Sequence, residues 1–504
     1  MRSGKLKHPL ATVDDPMLKK LLLALVVLAL LGIAGFALWR TAQLPARSSV
    51  TVSAALISVD RAAAADRLAQ GLRFATVARG GDAADERAAF NGFLEFLRTR
   101  FPLTHQRLSL DRVSEYSLLY IWAGSKPELP PVLLAAHMDV VPADAAGWTY
   151  PPFDGVIADG FVWGRGALDD KNSLLAILEA SEALLQLGYA PERTLMFAFG
   201  QDEEISGERG ATAIAALLAH REIKAAFTLD EGGAVTRGFV PGVDRPVASV
   251  MAGEKGYLTV KLKLAADGGH SSTPPARSVV GRLARAVTRL EDQPMPPRLI
   301  APVDAMLKGL APEMDYPTRL LVANRDWLTP LVFRALQGSR TTNALIRTTT
   351  ATTMFNAGIK DNVLPASGEV VINFRLLPGD TIAQVLQHLR DVIDDDAISI
   401  APVDGFNHEA PPASDAQAPP FKLIERAINE VFPEALVTSG IVLGATDNRH
   451  YAAVREQGYG FSPMPYTRDD ESRIHGIDER IAIADYLKMV QFYAQLMREA
   501  SRPQ

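Results

Sequence analysis

The stretch GRGALDDKNS, residues 164–173, sets two aspartates side by side after a glycine-rich turn and ahead of a helix-like run. Like charges crowded into a bend repel, so something must offset that repulsion. Three other places carry the same signature. The apolar run PVLLAA (131–136) leads into His137 and Asp139, TLMFAFG (194–200) into Asp202, Glu203 and Glu204, and AAFTL (225–229) into Asp230 and Glu231. Short continuous apolar runs suit fully buried strands, and in open α/β sheets ligands collect beyond the carboxyl ends of the strands. Histidine and carboxylates converging there are tolerated only when protonated, solvated or neutralised by cations, and divalent metal fits best. Gly164 and Gly166 let the backbone approach closely, with Asp169 projecting into the same region, and one carboxylate can bridge two cations.

Taken singly, each residue has a plainer reading. A histidine after a strand is usually a hydrogen-bonded surface residue, Asp170 before Lys171 fits a helix N-cap, and DEE fits a solvated loop. Their recurrence at strand ends outweighs this, because the chain has only nine histidines to place. Cysteine is absent, which excludes thiolate nucleophiles, Cys-ligated zinc and disulfides and leaves His, Asp and Glu to hold any metal.

The elements that must position these groups follow an alternating pattern. DERAAFNGFLEFLRTRFP (85–102) has apolar residues at helical spacing and a terminating proline, and NSLLAILEASEALLQLG (172–188) reads as a helix ending at glycine. Helices alternating with buried strands predict an α/β fold with a mostly parallel sheet flanked by helices. At 504 residues, 48% hydrophobic and 22% charged, the chain suits two or three folded domains. Its net charge of -6 argues against a nucleic-acid partner. No internal repeat is evident.

At the N-terminus, LLLALVVLALLGIAGFALW (21–39) is an unbroken uncharged run close to the roughly 20 residues of a membrane-spanning helix. Arg2, Lys5, Lys7, Lys19 and Lys20 precede it, so the positive-inside bias keeps residues 1–20 as a cytoplasmic tail and sends the body across, to a periplasmic or lumenal location. A cleaved signal peptide is the rival, but the charged leader is long and RTAQLPARSS offers no clear cleavage site. A buried soluble helix would need a marked face, which is missing. Residues 40–55 read as a linker.

The motifs HMDVVP, WGRGALDDK, QDEEISG, LDEGG, GGHSSTPP, NVLPASGEVVINFR, GATDNRHY and RIHGIDERI follow one another over roughly residues 60–495. In that order they resemble the co-catalytic zinc peptidases that include aminoacylase, glutamate carboxypeptidase and succinyl-diaminopimelate desuccinylase, above all the carboxypeptidase S and Gly-Xaa carboxypeptidase branch. The resemblance implies two zinc ions, with cobalt or manganese as substitutes. His137 and Asp230 would hold the first, Asp169 would bridge, and Glu204 with His475 would complete the second. It further implies Glu203 as general base, Asp139 orienting His137, and a cis peptide bond after Asp169. Catalytic parts at 56–247 and 403–504 would flank a ferredoxin-like lid at 248–402.

Within that lid, KGYLTVKLKL (255–264) alternates as an edge-type strand would, TIAQVLQHLRDVI (381–393) reads as a helix, and 295–340 reads as an added helical segment. From the lid, Arg375 would bind a substrate carboxylate, with Asn362, Gly444 and Thr446 as further contacts; without the resemblance Arg375 reads as a surface salt bridge. His270 would stabilise an oxyanion and, in dimeric relatives, arrives from the partner subunit, so a homodimer through the lid is implied. The expected activity is cleavage of an amide bond beside a free-carboxylate amino acid in a small peptide, or in an N-acyl amino acid as the alternative. A phosphoesterase would not need the lid arginine, and a non-catalytic binding module would not need Glu203.

Overall fold

The computed structural model describes residues 16–44, 55–81 and 83–502. The expected tail up to residue 15 and the expected linker over 45–54 lie outside them. Helix α1 (Pro16–Ala42) extends beyond the 21–39 run at both ends and is long and apolar enough to cross a membrane. Its leucines and valines are exposed from Leu21 to Leu38, unlike those of a core helix, and only Ala37 and Thr41 are buried.

The three apolar runs form neighbouring strands. β1 (Val132–His137) lies between β2 (Leu195–Gly200) and β3 (Ala225–Asp230), parallel to both, with His137 opposite Gly200 and Leu134 opposite Leu229. Nearly every residue of the three is buried, because helices cover both faces of this part of the sheet and leave no polar side to alternate with. Helix α2 (Lys171–Gln186) starts directly after the paired aspartates and packs against the helices Arg61–Leu72 and Ile483–Ala500. Its buried acids are accounted for: Glu179 pairs with Arg67, and Glu182 accepts the N–H groups of Leu103 and Thr104.

β4 (Val247–Glu254) belongs to the same ten-stranded sheet, and a single residue, Lys255, separates it from β5 (Gly256–Ala265), which opens a second sheet. The change of sheet therefore falls at Lys255, inside the 248–402 stretch expected as the lid. With β6 (Thr349–Ala357), β7 (Ser367–Leu376) and β8 (Ser399–Pro402), β5 makes an antiparallel sheet in the order β6-β7-β5-β8. β5 is thus an interior strand. Its alternation arises because one face packs under the helices Val279–Asp292 and Ile382–Ile393 while the other is open. The chain returns through β9 (Leu436–Val442), parallel to β4, and β10 (Arg455–Gly460), parallel to β3.

The segment expected at 295–340 is four short helices, α3 (Ala301–Leu310), α4 (Tyr316–Ala323), α5 (Thr329–Leu336) and α6 (Arg340–Ile346). α3 packs on β9 of the large sheet, and α4 packs on the end of α1.

Phe197 in the centre of β2 is wholly buried. Phe197→Ala should destabilise the full chain by about 3–5 kcal/mol through the cavity it leaves beside the strand that leads into the turn bearing Glu203 and Glu204. A lowered first transition in thermal unfolding of the detergent-solubilised protein checks this.

Candidate metal centre

The parallel register delivers the ends of β1, β2 and β3 to one place. His137 closes β1 and is buried; its Nδ1 donates to the Asp139 carbonyl at 3.0 Å and lies 3.3 Å from Asp139 Oδ1. The other nitrogen, Nε2, is thereby turned toward Asp169 Oδ1, 3.0 Å away. Asp139 also accepts the backbone N–H groups of Glu203 and Glu204, each at 3.1 Å, at the start of the 3₁₀ turn Glu203–Ile205. One carboxylate thus aligns an imidazole and the turn bearing two further acids.

His475 lies on the C-terminal loop with φ 60, its Nε2 3.1 Å from Asp169 Oδ2 and 3.3 Å from Glu204 Oε1. Two triads result. His137, Asp169 and Glu231 present ligand atoms within 4.8 Å of one another, and so do Asp169, Glu204 and His475. Asp169 belongs to both, and the Asp169–Asp170 peptide bond is cis.

The first triad contains Glu231 where the sequence reading expected Asp230. Asp230, the last residue of β3, is buried and is not among the grouped ligand atoms. Glu231, one residue on, brings Oε1 to 3.9 Å from His137 Nε2. Asp170 occupies the position before α2 but makes no side-chain cap bond; its Oδ2 instead accepts the N–H of His137 at 3.4 Å.

The donor set fits divalent cations. It comprises two imidazole nitrogens and three carboxylates, with no Lys or Arg paired to Asp169, Glu204 or Glu231 among the described residues. The titration behaviour reflects the same excess of negative charge. Burial, then the charge of Asp169, pushes the Glu231 carboxyl well above its ordinary range, and burial does the same for Glu203. Burial raises Asp170 to about 8. Hydrogen bonding to Asp169 and then Glu204 raises His475 to about 10. Bound cations would relieve this shared burden.

Two positioning residues escaped the sequence reading. Glu479, wholly buried, accepts the backbone N–H groups of Gly166, Leu168 and Asp169 at 3.1, 2.7 and 3.2 Å and pairs with Arg165. It folds the GRGALDD loop against the loop that carries His475. Lys171, also wholly buried, donates Nζ to the carbonyls of Gly71 and Phe74 and sits 4.7 Å from the Phe93 ring centroid. Burial lowers its pKa to about 7. Glu479 lies inside the quoted motif RIHGIDERI, yet nothing in its spacing marks it as an acceptor for a loop some 310 residues earlier.

The lid residues are arranged differently. The half-buried Arg375 guanidinium stacks 4.5 Å from the Tyr257 ring centroid. No carboxylate pairs with it among the described residues, so the salt-bridge reading has no partner. His270 and Asn362 share a small exposed ribbon, Gly269–His270 against Val363–Leu364, where Ser271 donates its N–H to the Asn362 carbonyl at 3.2 Å. No hydrogen bond or ion pair among the described residues joins either side chain to the carboxylate cluster. Gly444 borders open space, its added Cβ meeting only Val442 at 3.9 Å. Thr446 is buried and committed, its N–H and hydroxyl both donated to Glu254 Oε2 at 3.1 and 2.9 Å.

Fold and cluster together define a metallo-hydrolase. The chain belongs to the Peptidase family M20/M25/M40, which residues 133–499 match. It is 42% identical over 412 residues to the N-fatty-acyl-amino acid synthase/hydrolase of Mus musculus, covering 81% of this chain and 82% of that one. It is 40% identical over 443 residues to the probable carboxypeptidase S-like 2 of Dictyostelium discoideum, covering 87% and 85%. Among solved structures, the M20 family metallo-carboxypeptidase Sso-CP2 of Sulfolobus solfataricus shares the fold, with TM-score 0.62, 19% identity and coverage of 86% of this chain and 98% of that one.

Glu231→Ala should lower the metal content of the isolated protein, whereas Asp230→Asn should leave it unchanged. Metal content after gel filtration, measured by elemental analysis, distinguishes the two; the reverse pattern restores Asp230 as the ligand.

Proposed function

We propose that the chain is a membrane-anchored hydrolase of N-acyl amino acids with a long acyl chain. The observation that carries this reading is a cavity of about 1070 Å³ that begins at Asp169 and Glu231 and runs beneath the inserted helices. Its wall is mostly apolar, with Val240, Met251, Met306, Leu310, Val442 and Met464 among the lining residues. Pockets of about 300–1,000 Å³ hold drug-sized ligands, so this volume exceeds what a dipeptide fills, and an apolar wall favours hydrocarbon over a second polar residue. The resemblance to the mouse N-fatty-acyl-amino acid synthase/hydrolase supports this class of substrate.

The chain's own groups have distinct parts in this reading. His137, Asp169, Glu231, Glu204 and His475 hold two cations, with zinc as the expected metal and cobalt or manganese as substitutes. Such cations lower the pKa of a bound water and polarise an amide carbonyl. Glu203 takes the proton of the attacking water and returns it to the departing amine. Arg375, a half-buried guanidinium without a carboxylate partner, receives the free carboxylate of the amino-acid half, assisted by Asn362 and Gly444. Thr446, expected from sequence as a further substrate contact, holds the buried Glu254 carboxylate through its N–H and hydroxyl. His270 supplies a donor to the oxyanion from the lid of a partner subunit, consistent with its exposed ribbon. α1 holds the protein in the membrane with its N-terminus cytoplasmic and the body outside.

Against a series of N-acyl amino acids, kcat/KM should rise with chain length from acetyl to about sixteen carbons, by roughly 0.8 kcal/mol per buried methylene until the cavity is full. Faster cleavage of Gly-Xaa dipeptides than of any member of that series would favour the carboxypeptidase reading that the Dictyostelium relative suggests. Glu203→Gln should keep both metals and lose about 10²–10⁴ in turnover. Chelation should abolish hydrolysis and zinc or cobalt should restore it, as followed by release of free amino acid.

A further inference from the structure

The four inserted helices connect two parts of the molecule that the proposed function treats separately, the anchor and the cavity. At the anchor, Ala37 and Thr41 of α1 are buried against α4, Asn324 Nδ2 donates to the Ala37 carbonyl at 3.1 Å, and Arg40 pairs with Asp326 at 2.6 Å. Just beyond α1, Leu44 packs into a cluster containing Met306, Leu307, Val322, Val332 and Leu336. Met306, Leu307 and Leu336 also line the cavity. A single layer of side chains therefore separates the foot of the anchor from the apolar space that ends at Asp169 and Glu231.

The outer side of the same helices is apolar and exposed. Tyr316, Trp327 and Leu331 are 53%, 43% and 53% exposed, and Trp39 near the end of α1 is 58% exposed. Trp39 precedes Arg40 and Trp327 follows Asp326, so the Arg40–Asp326 pair ties together the two chain segments that carry these tryptophans. Tryptophan and tyrosine favour the boundary between hydrocarbon and water, and exposed apolar patches of this kind mark contact surfaces. The occupant that meets both α1 and this patch is a lipid bilayer: a helix exposing leucine and valine all round needs one, and the patch continues from the end of that helix.

We propose that α4 and α5 seat on the membrane surface through Tyr316, Trp327 and Leu331, and that an acyl chain passes from the bilayer between the inserted helices into the cavity. Substrate is then drawn from the lipid phase, where long-chain N-acyl amino acids concentrate, and the polar amide and carboxylate remain on the Arg375 side. The delivery step rests on the N-acyl reading. The seating rests only on α1 and the patch.

The test uses the full chain in vesicles. With Trp39→Phe in place, lipids brominated near the carbonyl end of their acyl chains should quench tryptophan emission, and adding Trp327→Phe should remove that quenching. Absence of Trp327-dependent quenching overturns the seating. Trp327 emission that changes with protein concentration in lipid-free micelles assigns the patch to a second copy and overturns it as well. For delivery, the double variant Trp327→Asp, Leu331→Asp should raise the apparent KM for an eighteen-carbon N-acyl amino acid dissolved in the vesicles by about tenfold or more. Its kcat/KM for a soluble N-acetyl amino acid should be unchanged. Equal KM values for the long-chain substrate overturn delivery. Failure to hydrolyse any N-acyl amino acid overturns the N-acyl reading with it, while the quenching result still decides the seating.

Discussion

The molecule is organised around buried negative charge in excess of the local cations. Parallel pairing of β1, β2 and β3 brings their carboxyl ends together, and each end continues into acids. An apolar interior cannot hold these groups ionised without compensation, and the cost of leaving even one charge unpaired is several kcal/mol. Two His–carboxylate triads that share Asp169 form a receptacle for divalent charge. Two acids outside the triads are compensated by peptide N–H groups: Asp139 accepts two and Glu479 accepts three.

That division of labour separates holding from reacting. Asp139 and Glu479 fix the loops and leave the carboxylates of the two triads free to face a shared space. Each of them spans distant parts of the chain, Asp139 tying the end of β1 to the turn after β2, and Glu479 tying the C-terminal loop to the glycine-rich loop. The positive φ of Gly164 and Gly166, at 154° and 90°, lets that loop fold tightly around the Glu479 carboxylate. An added Cβ at Gly166 would stand 3.0 Å from Val140.

Much of this was legible in the sequence because it depends on local pattern. Fully buried parallel strands leave continuous apolar runs, and the runs at 131, 194 and 225 became β1, β2 and β3. His137, Asp169, Glu204 and His475 could be found because they sit at strand ends or inside motifs. The choice between Asp230 and Glu231 could not, since it depends on the residue at which β3 stops and the direction of its last side chain. Glu479 and Lys171 bind backbone carbonyls and amides, whose partners sequence spacing does not encode. The alternation in β5 reveals that one face is covered, not how many neighbours the strand has. The change of sheet is hidden for a similar reason: only Lys255 stands between a strand of one sheet and a strand of the other, too little to leave a compositional mark.

The residues of the two triads run from His137 to His475, with the second sheet and the inserted helices between them. Such a centre has no local nucleus. During synthesis, the acids of the first part are made hundreds of residues before His475 and Glu479, the groups that close the bridge over Asp169 and brace its loop. A nascent chain therefore carries Glu203 and Glu204 long before His475 and Glu479 are made. The two triads cannot both close until His475 has emerged and folded back onto Asp169 and Glu204, at a translation rate of about 5–20 residues per second. Chain order thus sets when the carboxylate cluster is assembled.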